Sequence, residues 1–138
     1  MNLEKALKRL RENNHKVTMR RRDIITFFEQ ENRYVNARAV MDFMENLHPS
    51  MSFDTVYRNL HLYEQLNILE VTTLDGEKHF RMKCSPEHHH HFICNDCGST
   101  KKLPLCPMDQ ATELLLGYDI EDHKFEVYGR CPDCQFTL

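Results

Sequence analysis

Apolar residues at the start of the chain recur at helical spacing in four blocks. Leu3, Ala6, Leu7 and Leu10 form one stripe that ends near "ENN". Thr18 suits the cap of a second helix that turns Ile24, Phe27 and Phe28 inward. Asn36 suits the cap of a third, burying Val40, Phe43, Met44 and Leu47 and stopped by Pro49. Behind Ser52 a fourth runs from Phe53 to about Leu66. It buries Phe53, Val56, Leu60 and Tyr63 and leaves Asp54, Thr55, Arg58 and Gln65 outward.

After Asn67 the period changes to that of strands. "LEVTTL" and "EKHFRM" flank Asp75-Gly76, a dipeptide suited to a two-residue hairpin turn. Short helices followed by a hairpin are the layout of a winged helix-turn-helix, with the fourth helix in the DNA major groove and the hairpin against the backbone. From Cys84 on the segments shorten. "HFIC" and "TKKLP" read as strands around a tight turn, "PMDQATELLL" as a helix starting at Pro107, and "HKFEVYG" as a strand leading into "CPDC". The predicted fold class is α+β: a winged helix-turn-helix domain over residues 1–83, then a small α/β domain over 84–138.

Composition sharpens this division. With 41% hydrophobic and 28% charged residues the 138-residue chain reads as a soluble globular protein. The charged start "MNLEKALKRL" lacks a signal-peptide pattern, and no stretch approaches the length of a membrane span, so a cytoplasmic location is expected. Residues 1–63 carry eleven Lys and Arg against eight Asp and Glu, a net of +3; residues 64–138 carry seven against thirteen, a net of −6. All six cysteines and six of the nine histidines lie in the acidic part. A polyanion-binding half is thus joined to a ligand-rich one.

In a reducing compartment those cysteines point to metal rather than disulfides. Cys94-Cys97 and Cys131-Cys134 have the spacing of two zinc knuckles, and four thiolates make a closed tetrahedral site. The alternatives are redox pairs or plain buried cysteines; Gly98 and Pro132 in the turns favour zinc. Cys106 stands outside this pattern, as an inert residue or a thiol of redox interest, and His15, His48 and His61 receive no role.

"HHHH", His88 to His91, sits between Cys84 and the first knuckle. On an extended segment successive side chains face opposite ways, so His88 and His90 share one side and His89 and His91 the other. Four adjacent imidazoles therefore predict two sites. Cys84 is the obvious further donor for one, its soft thiolate shifting preference toward zinc. His123 and a carboxylate such as Asp109 are leading choices for the other. Asp109 also reads as a first-turn acid complementing a helix dipole, and His123 as a surface histidine.

The residues "TMRRRDII", "SFDTVYRNL", "HHHHFICNDCG" and "CPDC" resemble the ferric-uptake-regulator family of bacterial metal-dependent repressors over essentially the whole chain, and within it look most like the zinc-uptake regulators. The resemblance implies a winged-helix DNA-binding domain, a dimerisation domain, and repression only when a sensor site is filled. It makes Cys94, Cys97, Cys131 and Cys134 the ligands of structural zinc. It makes Glu70, Cys84, His89 and His91 the sensor set, with Glu70 at the interdomain hinge, and His88, His90, Asp109 and His123 an accessory set. The iron and peroxide branches carry a histidine before the third helix, an acid after the wing phenylalanine and another after the first knuckle. Here "ENRYVNA" has no histidine, and Arg81 and Lys102 stand at the other two places, so zinc is expected as sensor metal.

Tyr57 and Arg58 match the family's recognition-helix pair, and Arg21 its TxxR position; Arg20, Arg21 and Arg22 read as phosphate anchors, or as a solvated face. The expected function is a zinc-responsive repressor of metal-uptake genes, binding a palindromic double-stranded operator as a homodimer, with Zn2+ both structural and regulatory. Membranes and small molecules other than metal ions are not expected partners. An iron- or peroxide-responsive regulator and a zinc-buffering protein are the alternatives. A hydrolytic zinc enzyme is disfavoured because no HExxH or similar arrangement is present.

Overall fold

The structure, a computed structural model, describes residues 1–83 and 89–135. The chain divides into two compact units, Met1–Ser85 and Pro86–Leu138.

In the first unit four helices precede a hairpin: α1 (Leu3–Glu12), α2 (Met19–Gln30), α3 (Ala37–Leu47) and α4 (Phe53–Gln65), with a two-residue strand β1 (Val35–Asn36) between α2 and α3, then β2 (Leu69–Leu74) and β3 (Glu77–Met82). Each helix begins where a side-chain oxygen satisfies an otherwise unpaired N–H. Asn2 accepts from Lys5, Thr18 from Arg21, Asn36 from Ala39 and Ser52 from Thr55. The apolar stripes meet in one core that includes Ala6, Leu10, Ile24, Phe28, Val40, Met44, Val56, Leu60, Tyr63 and Ile68. Phe27 is only half-buried, its ring 4.8 Å from that of Phe43. Leu47 and Phe53, expected inward, are 52% and 44% exposed. Both are terminal residues of their helices, where the stripe runs past the end of the element that would cover it. The Phe53 ring instead lies 6.3 Å from Tyr57, one turn on.

The hairpin forms as expected. Asp75 and Gly76 both take left-handed φ values, 51° and 76°, which a two-residue turn demands and glycine adopts at no steric cost. β1 adds a third strand, giving the antiparallel order β1-β3-β2 with Val35 opposite Phe80. Polar contacts help tie the helices together: His48 Nε2 lies 2.7 Å from Asp23 Oδ2, and Arg9 donates to the carbonyls of Leu66 and Asn67 at the end of α4. The arrangement is a helix-turn-helix with a wing.

In the second unit β4 (His90–Cys94) is the middle strand of a three-stranded sheet, antiparallel to β5 (Thr100–Leu103) and parallel to β6 (Glu126–Gly129). α5 (Met108–Leu114) joins β5 to β6, with Pro107 as its cap rather than its first residue, and α6 (Pro132–Gln135) is one turn after Cys131. Little is buried among its described residues: His90, Ile93, Cys94 and Gly98. Leu114, Leu116 and Tyr118 are more than two-thirds exposed. Among the described residues no helix is long and apolar enough to cross a membrane.

Candidate metal centres and nucleic-acid interface

Cys94 ends β4 and Cys97 follows it through a tight turn. Gly98, at φ 74°, returns its N–H to the Cys94 carbonyl at 3.0 Å, and Cys94 N–H donates to Ser99 at 2.9 Å. Cys131 and Cys134 form the matching turn after β6, with Cys134 N–H donating to the Cys131 carbonyl at 3.1 Å. The parallel pairing of β4 and β6 brings the two turns side by side, and the four sulfurs lie within 4.8 Å of one another. A tetrahedral zinc with ligands at about 2.3 Å sets sulfurs about 3.8 Å apart. Cys97 and Cys131 Sγ are separated by 3.7 Å. The residues fit that metal.

Their protonation agrees. Burial is the largest influence on Cys94 and opposes ionisation. The backbone N–H groups of Cys97, Cys131 and Asp96, with the Cys97 side chain, outweigh it and bring the thiol down to about 6. Cys131 is lowered, chiefly by the backbone N–H of Cys134, whereas Cys134 is raised, chiefly by its hydrogen bonding to Cys131. Cys94 and Cys131 thus favour the thiolate while Cys134 opposes it, and a dication among the sulfurs would stabilise the charged forms.

Alternation along β4 separates the described histidines. The rings of His89 and His91 meet edge to face, centroids 4.6 Å apart. His90, 8% exposed, points elsewhere: its ring stands 5.4 Å from Phe125 and 5.3 Å from His123. His90 Nε2 is 3.3 Å from Cys106 Sγ, and His123 Nε2 is 3.5 Å from the same sulfur. These three form the second gathering of metal-capable donors among the described residues. Asp109 is exposed in the first turn of α5 and stands outside that group. Sequence reasoning left Cys106 without a partner; no local spacing announces it, because it lies sixteen residues from His90 and seventeen from His123. Cys84 and His88 lie outside the described residues. Glu70 is half-buried in β2, directly across the ladder from Arg81, which is 8% exposed and donates to Asn32.

In the first unit a cleft of about 700 Å³ is lined by Lys16, Arg20, Arg21, Thr55, Arg58 and Asn59, among others. Arg20 and Arg22 are exposed at the start of α2. Arg21 is more committed: Nε donates to Asn59 Oδ1 at 3.2 Å and a terminal nitrogen to the Lys16 carbonyl at 2.7 Å. On α4, Tyr57 is 42% exposed, and Arg58 pairs with Asp54 at 3.0 Å, both side chains at least three-quarters exposed. The cleft and the outer face of α4 thus offer several cations to a polyanion.

The family model described as ferric uptake regulator family matches residues 12–128. A curated relative, the ferric uptake regulation protein of Staphylococcus aureus, is 49% identical over 135 residues, covering 98% of this chain and 99% of its own. Among solved structures the Helicobacter pylori ferric uptake regulator aligns with a TM-score of 0.77 at 19% identity, covering 99% of this chain and 96% of that one. A zinc uptake regulator complexed with zinc and DNA aligns with a TM-score of 0.67 at 21% identity, covering 96% and 92%. At these identities the structural likeness speaks for the fold.

Proposed function

Because the chain belongs to the ferric uptake regulator family, whose members are metal-responsive transcriptional regulators rather than enzymes, we propose that it is an operator-binding repressor of metal-uptake genes, active when loaded with metal. Iron supply is the signal this reading favours. The observation that carries it is likeness at 49% identity, along nearly the entire length of both chains, to a protein named for ferric uptake regulation. Zinc is the second reading. The absence of a histidine from "ENRYVNA", the Cys84 thiolate, and Arg81 and Lys102 where acids are expected favour it by removing hard donors.

In either case Cys94, Cys97, Cys131 and Cys134 would hold a structural zinc, supplying folding free energy to a unit with little core. Glu70, Cys84, His89 and His91 would make up the sensor set. His89 and His91 enter it as a pair already facing each other. Metal bound there would select one relative orientation of the reading heads in a homodimer, one that matches a palindromic operator. A nearly complete shift of that equilibrium needs about 5.5 kcal/mol of differential metal affinity. The apolar side chains exposed in the second unit, Leu114, Leu116 and Tyr118, support self-association. Arg58 and Tyr57 would read bases, with Arg20 and Arg22 on phosphates.

Affinity in vitro does not separate the two metals, because zinc binds most sites more tightly than ferrous iron. The discriminating measurement is transcription in the living cell. Transcripts beside the bound operators are expected to rise on iron limitation and to stay low on zinc limitation. A C84S variant, lacking one sensor ligand, is expected to lose that iron response. The reverse pattern, a rise on zinc limitation and none on iron limitation, assigns zinc. Operator binding indifferent to any metal overturns the reading.

A further inference from the structure

We propose that Cys106, with His90 and His123, forms a separate sulfur-and-nitrogen metal site inside the C-terminal unit, one that takes zinc in preference to ferrous or manganous ions. The resemblance of the chain to its family implies an accessory set completed by an oxygen donor, Asp109; the geometry puts a thiol there instead. Both imidazoles aim Nε2 at the one sulfur, at 3.3 and 3.5 Å. A tetrahedral zinc with Zn–N of about 2.05 Å and Zn–S of about 2.3 Å sets those atoms about 3.6 Å apart, so one ion can bind all three with little rearrangement.

The frame around these donors is built. His90 is fixed by the β4 ladder, with its Cα opposite Leu103, and its ring is held against Phe125. His123 N–H donates to Asp122 Oδ1 at 2.8 Å, which fixes the loop before β6. Cys106 stands just before Pro107, the cap of α5. The three donors therefore come from a strand and two loops, and an ion among them would tie together a unit with few buried apolar side chains. The site has no member in common with the Cys94-Cys97-Cys131-Cys134 cluster. A thiolate and two imidazoles suit borderline-soft ions, whereas iron(II) and manganese(II) regulation favours oxygen.

Which metal governs repression does not bear on this site, since the readout is the metal–sulfur bond. The full chain is prepared with one zinc retained per chain in the knuckle cluster and titrated with cobalt(II), in a C84S background so that Cys106 is the one remaining thiol outside that cluster. A thiolate-to-cobalt charge-transfer absorption is expected in C84S and its loss in C84S/C106S. Absence of the band in C84S, or its survival in the double variant, overturns the proposal. Should C84S fold poorly, alkylation of the wild-type chain with iodoacetamide, mapped by peptide mass, gives the same decision. Added zinc is expected to protect Cys106, and H123A to abolish that protection. Labelling of Cys106 unchanged by zinc, or protection that persists in H123A, overturns it.

Discussion

Arg21 and Arg58 look alike on a charge count and differ in what holds them. Arg21 is engaged twice, bridging Asn59 on α4 and the Lys16 carbonyl before α2, so it braces the helix-turn-helix from within. Arg58 is three-quarters exposed and pairs with Asp54, an i,i+4 pair of the kind that contributes little to stability. R58A is therefore expected to leave thermal unfolding unchanged while weakening operator over random DNA by about 1–3 kcal/mol. R21A is expected to lower unfolding temperature and DNA affinity together. Paired melting curves and gel shifts check both; an R58A chain that melts early contradicts the assignment. At this scale the sequence was legible wherever a residue's chemistry is local. The caps Thr18, Asn36 and Ser52 and the pairing of the two CxxC turns were all readable in advance. Cys106 was not, because its neighbours His90 and His123 arrive only through the strand order of the second sheet.

Elements were readable where one period runs uninterrupted and was lost at its ends. Three of the four helices of the first unit start at the expected caps, yet Leu47 and Phe53 were assigned to the core because periodicity says which face a residue occupies and not how far the covering element reaches. The strand β1 and the single turn α6 are too short to carry a period and were invisible. The N-cap of α4 has a consequence of its own. Ser52 Oγ accepts from Thr55 N–H at 3.2 Å at the end of the helix that would enter the groove. S52A is expected to cost about 1 kcal/mol of stability. The loss should concentrate in faster hydrogen exchange over the first turn of α4, with the protection of α1 unchanged. Across the hairpin, G76A puts a side chain at φ 76° where open space surrounds it, so backbone strain alone is expected to act, at about 1 kcal/mol.

The molecule as a whole joins two units stabilised by different means. The first has a continuous core of nineteen buried side chains, which needs no metal to persist. Among its described residues the second buries only the side chains of Ile93, Cys94 and His90, with Gly98 beside them, and exposes Leu114, Leu116 and Tyr118. Its β4–β6 ladder ends at the cysteine turns, where Asn95 N–H donates to Gly129 and Arg130 bridges Asp96 to the Cys134 carbonyl. Those contacts hold the two turns in register only while the four sulfurs tolerate one another, and the lowered Cys94 and Cys131 thiols make that a question of charge. Cation binding at the cluster is then coupled to folding of this unit and not of the other. Hydrogen exchange on the full chain, before and after stripping with a strong chelator, separates the two. Amides of β4, β5 and β6 are expected to lose nearly all protection, and those of α2, α3 and α4 to keep theirs. C94S is expected to reproduce the stripped pattern with zinc present. Equal loss in both units would mean that the helical core leans on the metal, against its own burial; no loss in either would mean that the sheet stands without it.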